Sequence, residues 1–423
     1  MVKIVSVKAR QILDSRANPT VEAELVSTKQ TFTSIVPSGA STGTHEALEM
    51  RDNEKAFSGK GVLNAVKNVN EIISKEISGK DFSSQEELDN FLIELDGTEN
   101  KSKLGANAIL GVSMSFARAS ALEENMELYE YLSKISGRNE LLLPYPQLNV
   151  MNGGKHAGKE NDIQEHMLLP TEFNSFAEAI QAGAESYHVL KKMLKKKFGP
   201  QATLLGDEGG FVPPMDNVED RLELMVKAVE EAGYGKKIKI CLDCASSEFY
   251  SDNKYGIGEK RFSSPELVDF YAELAEKFPI VSIEDGMAED DWLGWAELTK
   301  KMGSKIQIVG DDLLVTNTSR IEKALETNAC NSLLLKVNQI GTVTESINAA
   351  NLAFKNDWTV VVSHRSGETE DAFISDLVVG LATGQSKFGA PARSERTAKY
   401  NQLIRIEEKL SEKGDVGFGR KFF

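Results

Sequence analysis

Along the C-terminal part of the chain, a short apolar run, one charged or polar residue of catalytic type and a turn recur in that order. KIKICLDCASSEF carries Asp243, PIVSIEDG carries Glu284, IQIVGDD carries Asp311, SLLLKVNQIG carries Lys336, and TVVVSHRSGET carries His364 and Arg365. From Asp243 to His364 the intervals are 41, 27, 25 and 28 residues. Each run has strand length and is rich in Val, Ile and Leu, and segments of helical period such as SPELVDFYAELAEKF and TSRIEKALETNA follow. That βα repeat predicts a parallel barrel. Such a barrel brings the C-terminal ends of all its strands to one face, so three carboxylates, a lysine, a histidine and an arginine converge there.

The first part of the chain has a different rhythm. Strand-like alternation over 2–9, 20–27 and 31–37 leads through the loop VPSGASTGTHE to helical periods at 62–77, 84–95, 105–123 and 126–135. This predicts an α+β domain with an antiparallel sheet over residues 1–138. The linker SGRNELLLPYP then opens a barrel domain over 139–423. A length of 423 residues suits two such units.

Composition narrows the function classes. Hydrophobic content of 41% and charged content of 27% suit a globular chain with a large core. The net charge of −15 disfavours nucleic acid and anionic membrane as partners. The basic cluster KKMLKKKFG reads as a solvated helix face. No run reaches membrane-spanning length, and the N-terminus lacks a signal-peptide pattern. The three cysteines, at 241, 244 and 330, suit a reducing compartment, so the expected location is cytoplasmic. Cys241 and Cys244 form a C-x-x-C, but one inside a strand-like run reads as buried packing.

Asp243, Glu284 and Asp311 at successive strand ends would repel one another without a cation, and an oxygen-only set favours Mg²⁺. Asp285 and Asp312 stand beside two of them, and strand alternation lets one residue of each pair face the metal. Lys336 is either a structural ion-pair partner or a general base, and a triple-carboxylate site opposite favours the base. Glu165 and Glu208, placed on adjacent strands, are either loop charges or a pair sharing one proton, with one of them a neutral acid. His156 in NGGKHAGKEN lies in a Gly-rich stretch able to act as a lid. Ser38 lies in a comparable loop.

Taken together, DSRANPTVE, VPSGASTGTHEALEMRD, LGANAILGVS, NGGKHAG, GDEGGF, LDCASSEF, SIEDGMAEDDW, VGDDLLVTN, LLLKVNQIGT, VVVSHRSGETED and APARSERTAKYNQLIRIEE resemble the enolase family over essentially the whole chain. The resemblance implies a variant (β/α)8 barrel with partly antiparallel opening strands and an N-terminal α+β capping domain. It implies a phosphopyruvate hydratase that interconverts 2-phospho-D-glycerate and phosphoenolpyruvate in glycolysis and gluconeogenesis, through a metal-stabilised ene-diolate. Two Mg²⁺ per active site are implied: one held by Asp243, Glu284 and Asp311, the second by Ser38 with substrate. Lys336 matches the base at C2, and Glu208, coupled to Glu165, matches the acid at the departing hydroxyl. Arg365 and Ser366 match the phosphate clamp, Lys387 the lysine at the substrate carboxylate, and His156 and His364 the active-site histidines. An enolase-type site of Lys or His base with Mg²⁺ is a known solution for removing a weakly acidic proton beside a carboxylate.

The chain departs from the family pattern at Ala17 (usually Gly), Gly286 (often Pro), His166 (usually Phe), Ser386 and Phe388 (usually Ile and Thr). Ala17 predicts strain if its position needs positive φ. The other substitutions stand beside functional positions and bear on pocket shape. Two other readings compete. An acid-sugar dehydratase or racemase of the wider superfamily often has Lys-x-Lys where this chain has GDEGG. A binding role alone does not account for a complete catalytic set, and the RKFF terminus lacks a final lysine. Glu22 and Arg405 match a subunit-bridging ion pair, which implies a homodimer or an octamer built as a tetramer of dimers.

Overall fold

The computed structural model describes residues 1–39, 43–414 and 416–420. Residues 40–42 of the VPSGASTGTHE loop and residues 421–423 of RKFF therefore lie outside the described residues.

The first three strands, Val2–Leu13, Pro19–Ser27 and Thr31–Ile35, form an antiparallel meander, and Asp81–Phe82 adds a fourth strand beside the first. In the first strand Val2, Ile4, Val7 and Ala9 are buried, although period two would turn Ser6 and Lys8 inward after Ile4. A register shift between Ile4 and Ser6 resets the alternation. Helix Ala106–Glu123 is small-residue-rich and buried nearly all round, as a helix packed on several sides must be. Helix Gln85–Asp96 starts on Ser84, whose side chain accepts from the Glu87 N–H, and ends on Gly97 at φ +69°.

Eight strands close the barrel: Tyr145–Asn152, Glu165–Pro170, Ile238–Asp243, Ile280–Glu284, Gln307–Gly310, Ser332–Leu335, Thr359–Ser363 and Gln385–Lys387. The purely parallel barrel expected from the βα rhythm is corrected here. The second strand runs antiparallel to both neighbours, while the other neighbouring pairs are parallel. Between the first two strands lies a short connection with one turn of 3₁₀ helix, Gly154–Ala157, so the chain doubles straight back. Helices Phe176–Phe198 and Val218–Glu231 both follow the second strand instead. The predicted helices at SPELVDFYAELAEKF and TSRIEKALETNA are present as Ser264–Lys277 and Thr318–Thr327.

The cap is tied to the barrel by charge. Asp89, fully buried, accepts from the Thr344 N–H at 2.9 Å and its hydroxyl at 2.6 Å, at the positive end of helix Val343–Lys355. Arg118 pairs with Asp371 at 2.7 Å, and Lys101 with Glu345 at 2.8 Å. Among the described residues no helix is long and apolar enough to cross a membrane.

Candidate active site

Strand reversal decides who reaches the rim. Glu165 is the first residue of the second strand, and antiparallel pairing sets it opposite Asp243, the last residue of the third. Glu284 ends the fourth strand in parallel register with Asp243. Asp311 follows the fifth strand, Lys336 the sixth and His364 the seventh, and Lys387 ends the eighth. A cleft at this rim is lined by His156, Glu165, Glu208, Asp243, Asp311, Lys336, His364, Arg365, Ser366 and Lys387 among others. Glu284 stands just beneath, joined to the cleft through Lys387 at 2.8 Å.

Glu208 is not on a barrel strand, contrary to the expectation of adjacent strands. It sits in the loop between the two helices after the second strand, in a turn closed by a bridge between Leu205 and Phe211. Phe211 also bridges to Met151 of the first strand, and Asn149 donates to Glu208 Oε2 at 3.0 Å. Those contacts bring the loop carboxylate to Glu165. His156 Nδ1 lies 3.5 Å from Glu165 Oε1, and His364 Nε2 lies 3.4 Å from Glu208 Oε2. Gly154, at φ +49°, has no room for a side chain, since a Cβ there would stand 2.8 Å from the Asp162 carbonyl.

Two ammonium groups meet the acidic floor. Lys387 Nζ reaches Asp243 Oδ2 at 2.6 Å, Glu284 Oε1 at 2.8 Å and Glu165 Oε2 at 3.5 Å. Lys336 pairs with Asp311, whose other oxygen accepts from Gln339 at 2.8 Å. Asp285 serves the backbone, accepting from the Asp311 N–H at 2.8 Å and the Asp312 N–H at 2.9 Å. It thus orients Asp311.

Burial, then the charge of Glu208, pushes Glu165 well above the usual carboxylate range. Burial would raise Glu208 too, but His364 and then His156 hold it well below. The two carboxyls therefore keep one proton between them. Burial, then Asp243, raises Glu284 well above its range. Burial tends to lower Lys336, but Asp311 outweighs it and holds the amine above its ordinary value.

The donor set fits a hard divalent cation. Asp243, Glu284 and Asp311 offer only oxygen, all three are buried, and Glu284 Oε2 has no hydrogen-bond partner. Among the described residues, the groups with ligand atoms within 4.8 Å of one another are Asp285, Asp311 and Asp312, and His156, Glu165 and Glu208.

Ser38, expected at a second ion with substrate, stands on the loop beside this set. Its N–H and carbonyl are bonded to Gly367, both at 2.8 Å, and its hydroxyl accepts from Arg16 at 3.3 Å and Arg51 at 3.1 Å. The cleft wall at that point is Gly39.

Glu46, Asn338 and Arg16 lie inside the quoted motifs, but their roles are not legible there. Glu46 holds both terminal nitrogens of Arg365, at 3.0 and 3.1 Å, and Asn338 accepts from the same guanidinium at 3.0 Å. Arg16 reaches Ser366 Oγ at 3.4 Å and the Gly39 carbonyl at 3.0 Å. A long-range partner of this kind has no periodicity or local spacing to betray it.

The unusual residues find physical settings. Ala17 sits at φ +59°, so the strain expected there is present. His166 is fully buried with its ring facing Arg221, which donates to Nε2 at 3.2 Å and pairs with Asp162. Phe388 packs near Tyr400, and nothing in the structure explains Ser386. Cys241, Cys244 and Cys330 are free and buried, and burial raises their thiols far beyond reactivity.

Residues 4–132 match the family model for the enolase N-terminal domain, and residues 140–422 match the model for the enolase C-terminal TIM barrel domain. An enolase of Thermococcus gammatolerans is 57% identical over 412 residues, covering 96% of this chain and 95% of the relative. An enolase of Methanopyrus kandleri is 54% identical over 428 residues, covering the whole of both chains. An enolase of Methanocaldococcus jannaschii is 54% identical over 409 residues, covering 96% of each. With both of its halves matched in order and its relatives aligned from end to end, this chain belongs to the enolase family.

Proposed function

We infer that the rim cleft carries out the family reaction, the reversible dehydration of 2-phospho-D-glycerate to phosphoenolpyruvate, with Lys336 as base and the Glu165–Glu208 pair as acid. The hydro-lyase activity itself, a step of glycolysis, belongs to the family. The observation carrying the role assignment is placement around the ring. Lys336 follows the sixth strand and Glu165 opens the second, four positions apart in a closed ring of eight, so base and acid face each other across the cleft. Elimination with proton and hydroxyl leaving opposite faces needs that separation.

In the dehydration direction, Lys336 Nζ takes the proton from C2 and the electron pair passes to the substrate carboxylate. The shared proton, resting on Glu165, passes through Glu208 to the C3 hydroxyl, and the electron pair returns from the carboxylate to form the C2–C3 double bond as water leaves. The Lys336 ammonium, paired with Asp311, is the form that delivers a proton to C2 in the reverse direction. To act as base it must release Asp311. Lys387 faces the substrate carboxylate, while Arg365 and Ser366 hold the phosphate, the planar guanidinium offering two donors at once. His156 and His364 flank the glutamates.

The family is Mg²⁺-dependent, and the acidic clusters suit such an ion. We assign two ions per site. Asp243, Glu284 and Asp311 would hold the first, and Ser38 with substrate oxygens the second. When bound, Mg²⁺ supplies Lewis-acid stabilisation of the extra charge on the substrate carboxylate.

The further calls remain our reading: a capping domain over 1–138, a catalytic domain over 139–423, a cytoplasmic location, and no nucleic-acid partner. An apolar cluster lying wholly within residues 2–119 supports a separate first unit, while the barrel's cluster also takes in Val36, Leu110, Met114 and Leu132 at the seam between the two. We also assign a homodimer, or an octamer made of four such dimers. Glu22 is paired with Arg10 within the chain, and Arg405 is exposed, with Gln402 at 3.4 Å. Sedimentation of the wild type and of Arg405→Glu tests that contact.

The deciding experiment follows phosphoenolpyruvate formation by ultraviolet absorbance from 2-phosphoglycerate, with and without Mg²⁺. Mg²⁺-dependent turnover abolished by Lys336→Ala establishes reaction and base together. A folded, Mg²⁺-supplied wild type without turnover overturns the reading.

A further inference from the structure

The loop after the seventh barrel strand carries His364, Arg365 and Ser366, and the helix behind it contributes more than packing. Helix Ser394–Ser411 presents two fully buried cations one turn apart, Arg396 and Lys399. A buried cation is tolerated where its donors find acceptors, so the identity of those acceptors is informative. One terminal nitrogen of Arg396 contacts His364 Nδ1 at 2.6 Å and the Arg365 carbonyl at 2.5 Å. The other donates to the Ser366 carbonyl at 2.7 Å and the Asp207 carbonyl at 3.1 Å. Lys399 donates to Glu368 Oε2 at 2.7 Å, and Glu368 Oε1 accepts from the Arg365 backbone N–H at 3.1 Å. Gly389, at φ +86°, leaves space for the contact, since a Cβ there would stand 3.0 Å from both Arg396 Cδ and His364 Cε1.

A guanidinium has donors and no acceptor, so His364 Nδ1 must be the accepting nitrogen. In the neutral ring the proton then resides on Nε2, the atom facing Glu208 Oε2 at 3.4 Å. The remaining donors stitch two loops together: the one bearing Arg365 and Ser366, and the one bearing Asp207 and Glu208. We propose that Arg396 is a positioning residue for the dehydration, holding His364 in its Nε2-protonated tautomer and locking the phosphate-binding loop to the Glu208 loop. The role rests on the reaction assigned above. Arg396 reaches no substrate itself; it acts through His364 and two backbone segments.

The test begins on the wild type, labelled with ¹⁵N-histidine and saturated with Mg²⁺. His364 is expected to show a proton on Nε2 and a bare, hydrogen-bonded Nδ1; a proton on Nδ1 overturns the proposal whether or not any variant folds. Arg396→Met, of similar length without donors, is expected to lower kcat about 100-fold and raise KM several-fold, both loops being released. Arg396→Lys, which keeps a single donor group, should recover part of kcat and the Nδ1 signature. A folded Arg396→Met enzyme with kcat and KM within about threefold of wild type would reduce the residue to packing. Wild-type turnover and its loss in Lys336→Ala judge the reaction separately, so failure of the reaction is distinguishable from failure of the Arg396 role.

Discussion

Glu165 begins its strand, Asp243 ends its own, and the two are register partners in the barrel wall. A parallel second strand would have sent its first residue to the opposite end of the barrel, some 15–20 Å away for a strand of ordinary length. One reversed strand therefore adds a carboxylate from a strand start to a rim otherwise built from strand ends.

The Glu165–Glu208 pair gives the first prediction. Glu208→Gln removes the acid and should lower kcat roughly 10²- to 10⁴-fold with little change in KM, and Glu165→Gln should fall in the same range. Steady-state kinetics with circular dichroism for folding checks both. A Glu165→Gln enzyme near wild-type rate would show that the shared proton is not used.

Removal of the metal gives the second. Dialysis against a chelator should abolish turnover, and Mg²⁺ should restore it while raising the melting temperature, because the ion binds the folded site. Asp311→Asn should weaken Mg²⁺ binding measurably by calorimetry. Wild-type activity surviving full metal removal would count against the Asp243–Glu284–Asp311 assignment.

Ala17 gives a stability prediction without a catalytic one. A Cβ at φ +59° costs about 1–2 kcal/mol relative to an unstrained backbone, of which glycine gives back part through its unfolded-state entropy. Ala17→Gly should stabilise the fold by about 1 kcal/mol and leave kcat unchanged. Chemical denaturation reads the difference, and a destabilised variant would show that local contacts outweigh the strain.

Asp376 sets a pH prediction away from the cleft. It lies buried in helix Phe373–Gly380, accepting from Gln402 at 3.2 Å, and burial pushes its carboxyl up to about 7 against the pull of Arg118. Its folded value exceeds its unfolded one, so its contribution is greatest at low pH and is lost as pH rises toward 7. Asp376→Asn should therefore raise stability more at pH 8 than at pH 5, by an amount on the order of 1–3 kcal/mol. Equal shifts at both pH values would place the carboxylate in a more polar setting than its burial indicates.

Much of this molecule was legible in the residues themselves. Strand-length apolar runs ending in Asp243, Glu284, Asp311 and Lys336 announced strand ends on one rim, because periodicity and strand length are local properties that survive without a structure. The meander, the four helical stretches of the first domain and Ala17 as a point of strain were likewise local. Family membership was legible too, through long motifs of fixed spacing.

Tertiary structure decided what local pattern has no means to encode. The direction of the second strand depends on where the two following helices can pack, and that direction places Glu165. Glu208 reaches the cleft through a loop bridged to the first strand, 59 residues from Asn149 in sequence. Ser38 is bonded through its backbone to Gly367 and through its hydroxyl to Arg16 and Arg51, and Arg365 is held by Glu46, 319 residues away. The charge state of Lys336 is likewise set by the balance between burial and Asp311. Hydrophobic patterning tells which residues leave water; which donor meets which acceptor once they have left it is settled only when distant segments are packed together.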